Sequence, residues 1–180
     1  MQRSIKTILV ATDGSGHAEK AVAFAADLAG KYDAKLVLLH VLLRGELAES
    51  LTRMAEAEHL VDPRGRRLDE AIAAIPEGRF PASFIAPSKS EATPYQVLRA
   101  IGEKILESAE TTARAHGAKR TERRIEDGDP VKRILAAASE SKADLLVTGA
   151  RGLSNIKALV VGSVSNKLAQ LSPVTCVAVR

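Results

Sequence analysis

Apolar positions along the chain fall into short continuous runs that alternate with stretches of helical spacing. Ile5 to Ala11 is rich in branched residues and is stopped by Asp13-Gly14-Ser15-Gly16, the pattern of a buried strand. From a start at Ser15 or Gly16, alanines with Val22, Phe24 and Leu28 recur every three or four positions until Gly30, which predicts a helix. Ala34 to Leu42 is a second near-continuous apolar run, suited to a parallel strand covered on both faces. Thr93-Pro94 starts a further helix, a cap residue followed by proline, with Val97, Ile101, Ile105 and Ala109 on one face and an end near Gly117. Ala118 to Asp127 is charged and alternating, as an edge strand would be. Asp129-Pro130 opens a helix with Val131, Ile134, Leu135 and Ala138 inward. Asp144 to Thr148 is a short buried strand, Ile156 to Leu171 a helix, and Pro173 to Arg180 a last strand. Alternation of this kind predicts an α/β fold, an open five-stranded parallel sheet with helices on both faces, Rossmann-like in form.

One stretch breaks the alternation. Residues 44–93 hold Pro63, Pro76, Pro81 and Pro87, with apolar spacing at Leu47, Leu51, Met54 and Val61 for one short helix and another helical turn over Asp69 to Ile75. So long a connection is uncommon in a compact domain. Residues 1–180 therefore read as a single domain with an insertion at about 44–93, between the second strand and the second helix. A lid, a docking surface and a disordered loop all remain open for it. Its seven basic and nine acidic residues between Arg44 and Glu91 argue against a polybasic membrane arm. Phe80, Phe84 and Tyr95 read either as contact residues for a partner or as the cover of the insertion's own small core.

Composition narrows the function by exclusion. A length of 180 residues suits one domain, and a single cysteine, Cys176, excludes an internal disulfide framework. There is no apolar run long enough for a membrane span and no signal-peptide pattern at the start, so the expected location is the cytoplasm, with no membrane contact. The 26 basic residues are nearly balanced by 22 acidic ones, and aromatic residues make up only 3%, so no nucleic-acid partner is expected. Arg64-Gly65-Arg66-Arg67 and Arg123-Arg124 read as solvated faces. His17, His59 and His116 share no ligand spacing, so no transition-metal site is expected. His40, near the end of the second strand, reads as a packed histidine rather than a catalyst.

The residues with chemistry stand near the C-terminus. Gly149 is followed by two residues, Gly152, nine residues, and then Gly162-Ser163. A chance match to this spacing in a chain of this length is on the order of 1 in 200. Gly149 and Gly152 follow a strand, where ligands bind in open parallel sheets. Missing side chains allow backbone N–H groups to approach an anion. Gly162 and Ser163 would offer another N–H and a hydroxyl if the helical pattern is broken or begins there.

At these residues the chain resembles the universal stress protein family, in its nucleotide-binding branch. The family's motif of glycine, two residues, glycine, nine residues, glycine and serine or threonine is matched by Gly149, Gly152, Gly162 and Ser163 without a gap. Ile8 to Ser15, Leu39-His40-Val41, Asp127-Gly128-Asp129-Pro130 and the closing Pro173-Val174 also resemble the family, over residues 4–43 and about 95–180. The resemblance implies the adenine nucleotide alpha hydrolase-like sheet, in order 3-2-1-4-5, and an ATP site. Asp13 would contact the adenine or ribose side and Val41 the adenine through its backbone. Gly149 and Gly152 would line the ribose and phosphate path. Gly162 and Ser163 would bind phosphates, with Val164 and Ser165 beside them and Arg151 adding charge. The phosphates would carry Mg2+, and AMP or ADP is an alternative to ATP. Neither a Gly-x-x-x-x-Gly-Lys-Ser/Thr loop nor Gly-x-Gly-x-x-Gly after the first strand is present. Thr12-Asp13-Gly14-Ser15-Gly16 departs from the Ser-Gly-Gly-x-Asp-Ser loop of the ATP pyrophosphatases, which disfavours an adenylating synthetase.

The leading expectation is an ATP-binding regulatory protein of the stress response in which the nucleotide is an effector, with slow or no hydrolysis, since no general base stands out. A slow ATPase, or a self-phosphorylating switch with Ser163 or Ser165 as acceptor, is the second reading. A nucleotide-free interaction module with an unknown protein partner is the third. The apolar terminal strand, Val174 to Val179, is expected at a sheet edge and predicts a two-fold homodimer.

Overall fold

The computed structural model describes residues 4–42, 94–152 and 162–180. The expected insertion, with Phe80 and Phe84, lies outside the described residues. Five strands are present: β1 (Thr7–Ala11), β2 (Lys35–Leu42), β3 (Arg120–Asp127), β4 (Leu145–Gly149) and β5 (Thr175–Val179). Between them run α1 (Gly16–Tyr32), α2 (Pro94–Ala115), α3 (Pro130–Glu140) and α4 (Ser163–Leu171). All strands pair in parallel, in the order β3-β2-β1-β4-β5, as expected from the sequence.

Strand alternation divides the core in two. Ile8, Val10, Leu36, Leu38, Leu145 and Val147 face α1 and α2, while Leu9, Val37, Leu39, Val41 and Leu146 face α3 and α4. Both sets are apolar because both faces are covered, which is why β2 reads as a continuous run. The buried side of α1 is nearly all alanine (Ala18, Ala21, Ala25, Ala26, Ala29), so the helix lies close on the sheet.

Two helix boundaries differ from the sequence expectation. α1 does not stop at Gly30 but runs to Tyr32 and ends on Asp33 in the left-handed conformation, φ 49°. Gly30 serves a close approach instead, since a methyl there would lie 2.7 Å from the Gly117 carbonyl oxygen. Of the helix expected over Ile156 to Leu171, residues 156–161 lie outside the described residues, Gly162 is extended with φ −69° and ψ 156°, and the described helix begins at Ser163.

The edges of the sheet are unlike. β3 carries Arg120, Glu122, Arg123, Arg124 and Glu126. Arg124 pairs with Glu126 at 2.9 Å and Glu140 at 2.7 Å, Arg123 with Glu110 at 3.4 Å, and Glu122 with Lys35. At the other edge, β5 holds Thr175, Cys176, Val177, Ala178 and Val179, with no charge. No helix among the described residues is long and apolar enough to cross a membrane.

Candidate functional site

The strand order reverses between β1 and β4, and a cleft opens there, beyond their C-terminal ends, as the rule for open α/β sheets requires. Asp13, Val41, Gly149, Arg151, Gly152, Gly162, Ser163, Val164 and Ser165 all line it. The structure therefore brings all nine sequence-predicted site residues together.

Local hydrogen bonds shape one wall, the turn from β1 to α1. Asp13 Oδ1 accepts from Ser15 N (3.0 Å) and Thr12 Oγ1 from Gly14 N (3.3 Å), an arrangement typical of short polar side chains in turns. Ser15 Oγ caps α1 by accepting from Ala18 N (3.3 Å) and reaches the Arg151 carbonyl at 3.5 Å, tying this turn to the loop after β4. Gly152 adjoins the Asp13 carboxylate, for a methyl at 152 would lie 2.5 Å from Asp13 Oδ2. Gly149 answers to packing, because a methyl there would lie 2.8 Å from the backbone of both His17 and Ala18. Its bare α-carbon lets α1 begin directly against β4.

The opposite wall is the start of α4. Gly162 donates its N–H to the Ala150 carbonyl (2.7 Å), and the buried Ser165 hydroxyl lies 2.9 Å from that same oxygen and 3.0 Å from the Gly162 carbonyl. This corrects the expectation that Gly162 would offer its N–H to a phosphate, and it gives the Ser165 hydroxyl a positioning role. The first helical hydrogen bond of α4 runs from Asn166 N to Gly162 O (3.0 Å). The amides of Ser163, Val164 and Ser165 therefore have no acceptor within the helix. Other helix starts are served by their own side chains: Ser15 caps α1, and Asp129 Oδ1 accepts from Lys132 N (2.9 Å) at α3. At α4 no side chain among the described residues does this, since the cap is Gly162. Nothing among the described residues demands glycine there. Its φ is ordinary, and a methyl would meet its nearest neighbours at 3.4 Å or more.

The floor is apolar, built from Ala11, Leu39 and Val41 at strand ends and Pro130, Ile134 and Leu168 of α3 and α4. Sequence reasoning missed all of these but Val41. Their nearness to strand ends would have found Ala11 and Leu39, whereas Ile134 and Leu168 look like any inward helix positions. β2 outruns β1 here. The β1–β2 register ends at Ala11↔Leu39, and Thr12 N donates to Leu39 O (2.9 Å) beyond it, while β2 continues beside β3 through Val41↔Glu126 and Leu42↔Asp127. The Leu39 carbonyl faces β1, so the Val41 N–H and carbonyl, two residues on, face the same way, where β1 has turned off.

His40, between them, points to the other side of the sheet. It is 6% exposed, and its Nδ1 lies 2.9 Å from the Thr12 carbonyl. Burial pushes its pKa below the usual histidine value, opposed by the Thr12 carbonyl and by the nearby negative charge of Asp13. It is a packed histidine, as the sequence indicated.

The model of the universal stress protein family matches residues 4–180. Universal stress protein YxiE of Bacillus subtilis is 33% identical over 174 residues, covering 96% of this chain and 97% of that protein. A universal stress protein solved in complex with cAMP is 28% identical, with a TM-score of 0.62 and 99% of each chain covered. UspA from Lactobacillus plantarum, at 17% identity and a TM-score of 0.66, covers 99% of this chain and all of its own and shares the fold.

Proposed function

The chain belongs to the universal stress protein family, and from that premise we propose that it is an ATP-binding regulatory protein of the stress response, with the nucleotide as effector. The observation that carries this reading is the start of α4. Among the described residues, its first amides have neither a helical acceptor nor a side-chain cap, and Gly162 is glycine without a steric or conformational cause. Such a helix terminus favours an anion. Arg151 and the exposed Ser163 hydroxyl lie on the same cleft.

The remaining roles follow the walls. The triphosphate lies along Gly152, Gly162 and Ser163, with Val164 supplying an amide. Asp13, a carboxylate, receives hydrogen-bond donors of the nucleoside. Adenine lies in the apolar slot between Val41 and Ile134 and pairs with the Val41 N–H and carbonyl. The relative solved with cAMP supports an adenine nucleotide and adds a cyclic phosphate to the ligands to be compared. Magnesium enters on the phosphate oxygens, because Asp13, the carboxylate lining the cleft among the described residues, belongs to the nucleoside in this reading. Hydrolysis is then slow or absent, for no residue on the phosphate side among the described residues serves as a base to activate water.

The reading is tested by acid-denaturing the purified protein, identifying the released small molecules by mass spectrometry, and titrating the emptied protein calorimetrically with ATP, AMP and cAMP. Recovered ATP, with ATP binding tighter than AMP and cAMP, is the expected result. Tighter cAMP binding would replace the ATP reading with a cyclic-nucleotide one. No heat with any of them would leave an interaction module with an unidentified protein partner.

The same proposal includes a two-fold homodimer through β5, supported by the contrast between its uncharged edge and the ion-paired β3. Val177→Lys places a charge in the middle of that edge and is expected to yield monomers by light scattering. A persisting dimer would move the interface elsewhere.

A further inference from the structure

We propose that His40, on the far side of the sheet from the cleft, is a positioning residue for base recognition: by occupying the Thr12 carbonyl it leaves the Val41 N–H to the ligand. The inference rests on the nucleotide reading above.

β1 and β2 are joined by a regular parallel ladder. Lys35 N donates to Lys6 O (2.8 Å) at its beginning, and Thr12 N donates to Leu39 O (2.9 Å) at its end. Odd-numbered residues of β2 thus face even-numbered residues of β1, and the next rung would join Val41 N–H to the Thr12 carbonyl. That carbonyl is met instead by His40 Nδ1 at 2.9 Å, from the opposite side of the sheet. The ladder stops one rung short, and the amide that would have closed it faces the cleft.

The histidine is held to this task. A methyl at Gly102 of α2 would lie 2.8 Å from His40 Cδ2 and 3.2 Å from Leu42 Cδ2, so the helix backbone sits directly on the ring and fixes its direction. Thr12 is then restrained at both peptide groups, by Leu39 at its N–H and by His40 at its carbonyl. The residue that follows is Asp13, so the same contact orients the second polar group of the site. Because Nδ1 donates, the neutral ring carries its proton there, leaving Nε2 beside Gly102 without one.

Two substitutions separate this role from packing. In His40→Asn the amide nitrogen overlays Nδ1 and still donates to Thr12, but ring volume is lost. In His40→Leu volume is kept and the donor is lost, so the Val41 N–H closes onto the Thr12 carbonyl. Both variants lose stability, and a merely structural role would weaken all ligands alike. The discriminating measurement is the ratio of AMP to IMP affinity by calorimetry, since adenine N1 accepts from an N–H and protonated hypoxanthine N1 does not. His40→Leu is expected to lose AMP affinity about tenfold, the weight of one well-placed hydrogen bond, with the AMP-to-IMP ratio falling toward one. His40→Asn is expected to keep the wild-type ratio. Equal ratios in all three proteins, with AMP still bound, overturn the positioning role alone. A wild-type protein that binds neither nucleotide overturns the nucleotide reading and this role with it. A measurement that needs no variant is long-range nitrogen–proton NMR of the wild-type His40 ring. A neutral ring protonated at Nδ1 is expected, and one protonated at Nε2 overturns the proposal.

Discussion

At the end of β2 two successive residues have opposite surroundings. His40 is sealed beneath α2, with Gly102 pressed onto its ring, while Val41 lies at the floor of a cleft that α3 and α4 leave open. Glycine stands on both sides, for different reasons. On the sealed side a methyl at Gly30 or Gly102 would strike atoms of the fold at under 3 Å, whereas at Gly162, on the open side, it would meet nothing among the described residues nearer than 3.4 Å. A glycine required by packing reports on the fold. A glycine that packing does not require reports on something absent from the chain. The two kinds are told apart by whether stability or binding suffers on substitution.

The largest effect is expected at Gly149, which belongs to both sides because it lines the cleft and also touches α1. In Gly149→Val the new side chain meets the backbone of His17 and Ala18, which cannot swing away, so α1 must lift from β4. Overpacking against backbone costs about 3 kcal/mol, a fall in melting temperature of roughly 6–12 °C for a chain of this size. Thermal unfolding followed by circular dichroism checks it. An unchanged transition would mean that α1 does not start against β4 as described.

The sharpest contrast is between Gly162→Val and Gly102→Val. The first is expected to lower ATP affinity about a hundredfold, some 2.7 kcal/mol, while unfolding stays within about 0.5 kcal/mol of wild type. The second is expected to cost about 2 kcal/mol of stability, since the blocking atoms belong to His40 and Leu42 side chains that yield in part. If Gly162→Val proves as destabilising as Gly102→Val, Gly162 is a packing glycine after all and the open side loses its distinction.

A smaller effect is expected on the sealed side as pH is lowered. Burial holds the folded-state pKa of His40 below its ordinary value near 6.5, so the unfolded chain takes up a proton first. Stability contributed by the neutral ring is therefore complete above about pH 6.5 and declines as pH falls from there, until the folded-state pKa is reached. The steepness of the decline cannot exceed about 1.4 kcal/mol per pH unit for one proton, and His40→Asn should abolish it. Glu107 and Glu110, whose carboxyls are held below their usual range mainly by Lys104 and by Arg114, act in the same direction only at lower pH. Urea unfolding at pH 7.5, 6.5 and 5.5 measures the slope, and a flat profile in the wild type would mean that the ring gains a proton as readily folded as unfolded.

Much of this arrangement is legible in the sequence because its causes are local. Apolar runs mark the strands, Ser15 and Asp129 mark their helix starts, and the glycine spacing points to one end of the sheet. What stays hidden depends on neighbours far along the chain. Gly30 looks like a helix stop until Gly117 is seen against it. The Gly162 N–H and the Ser165 hydroxyl look available to a phosphate until the Ala150 carbonyl is found to take them. Ile134 and Leu168 form the floor of the cleft yet share their spacing with every core-facing helix residue. His40 reads as packed, but that it ends a ladder depends on β1 and β2 having unequal lengths.

The smallest expected effect carries the most information about the open side, because its two signs oppose. Gly162 has the extended conformation of a helix cap but no side chain to act as one. In Gly162→Asn a side-chain oxygen would accept from the amide of Val164 or Ser165, as Ser15 and Asp129 do at their helices. The methylene has room, with the Ala150 carbonyl at 3.4 Å and the Arg151 α-carbon at 3.5 Å. A gain of a few tenths of a kcal/mol in stability is expected, since glycine is itself a tolerable cap. The same side chain would stand where the proposed phosphate stands and satisfy the amide that phosphate requires, so nucleotide affinity should fall while the melting temperature rises slightly. A variant that gains stability and keeps its nucleotide would place the phosphates away from α4. A variant that loses both would mean that the bare cap serves the fold itself, and the contrast between the two sides of the sheet would then rest on Gly102 and His40 alone.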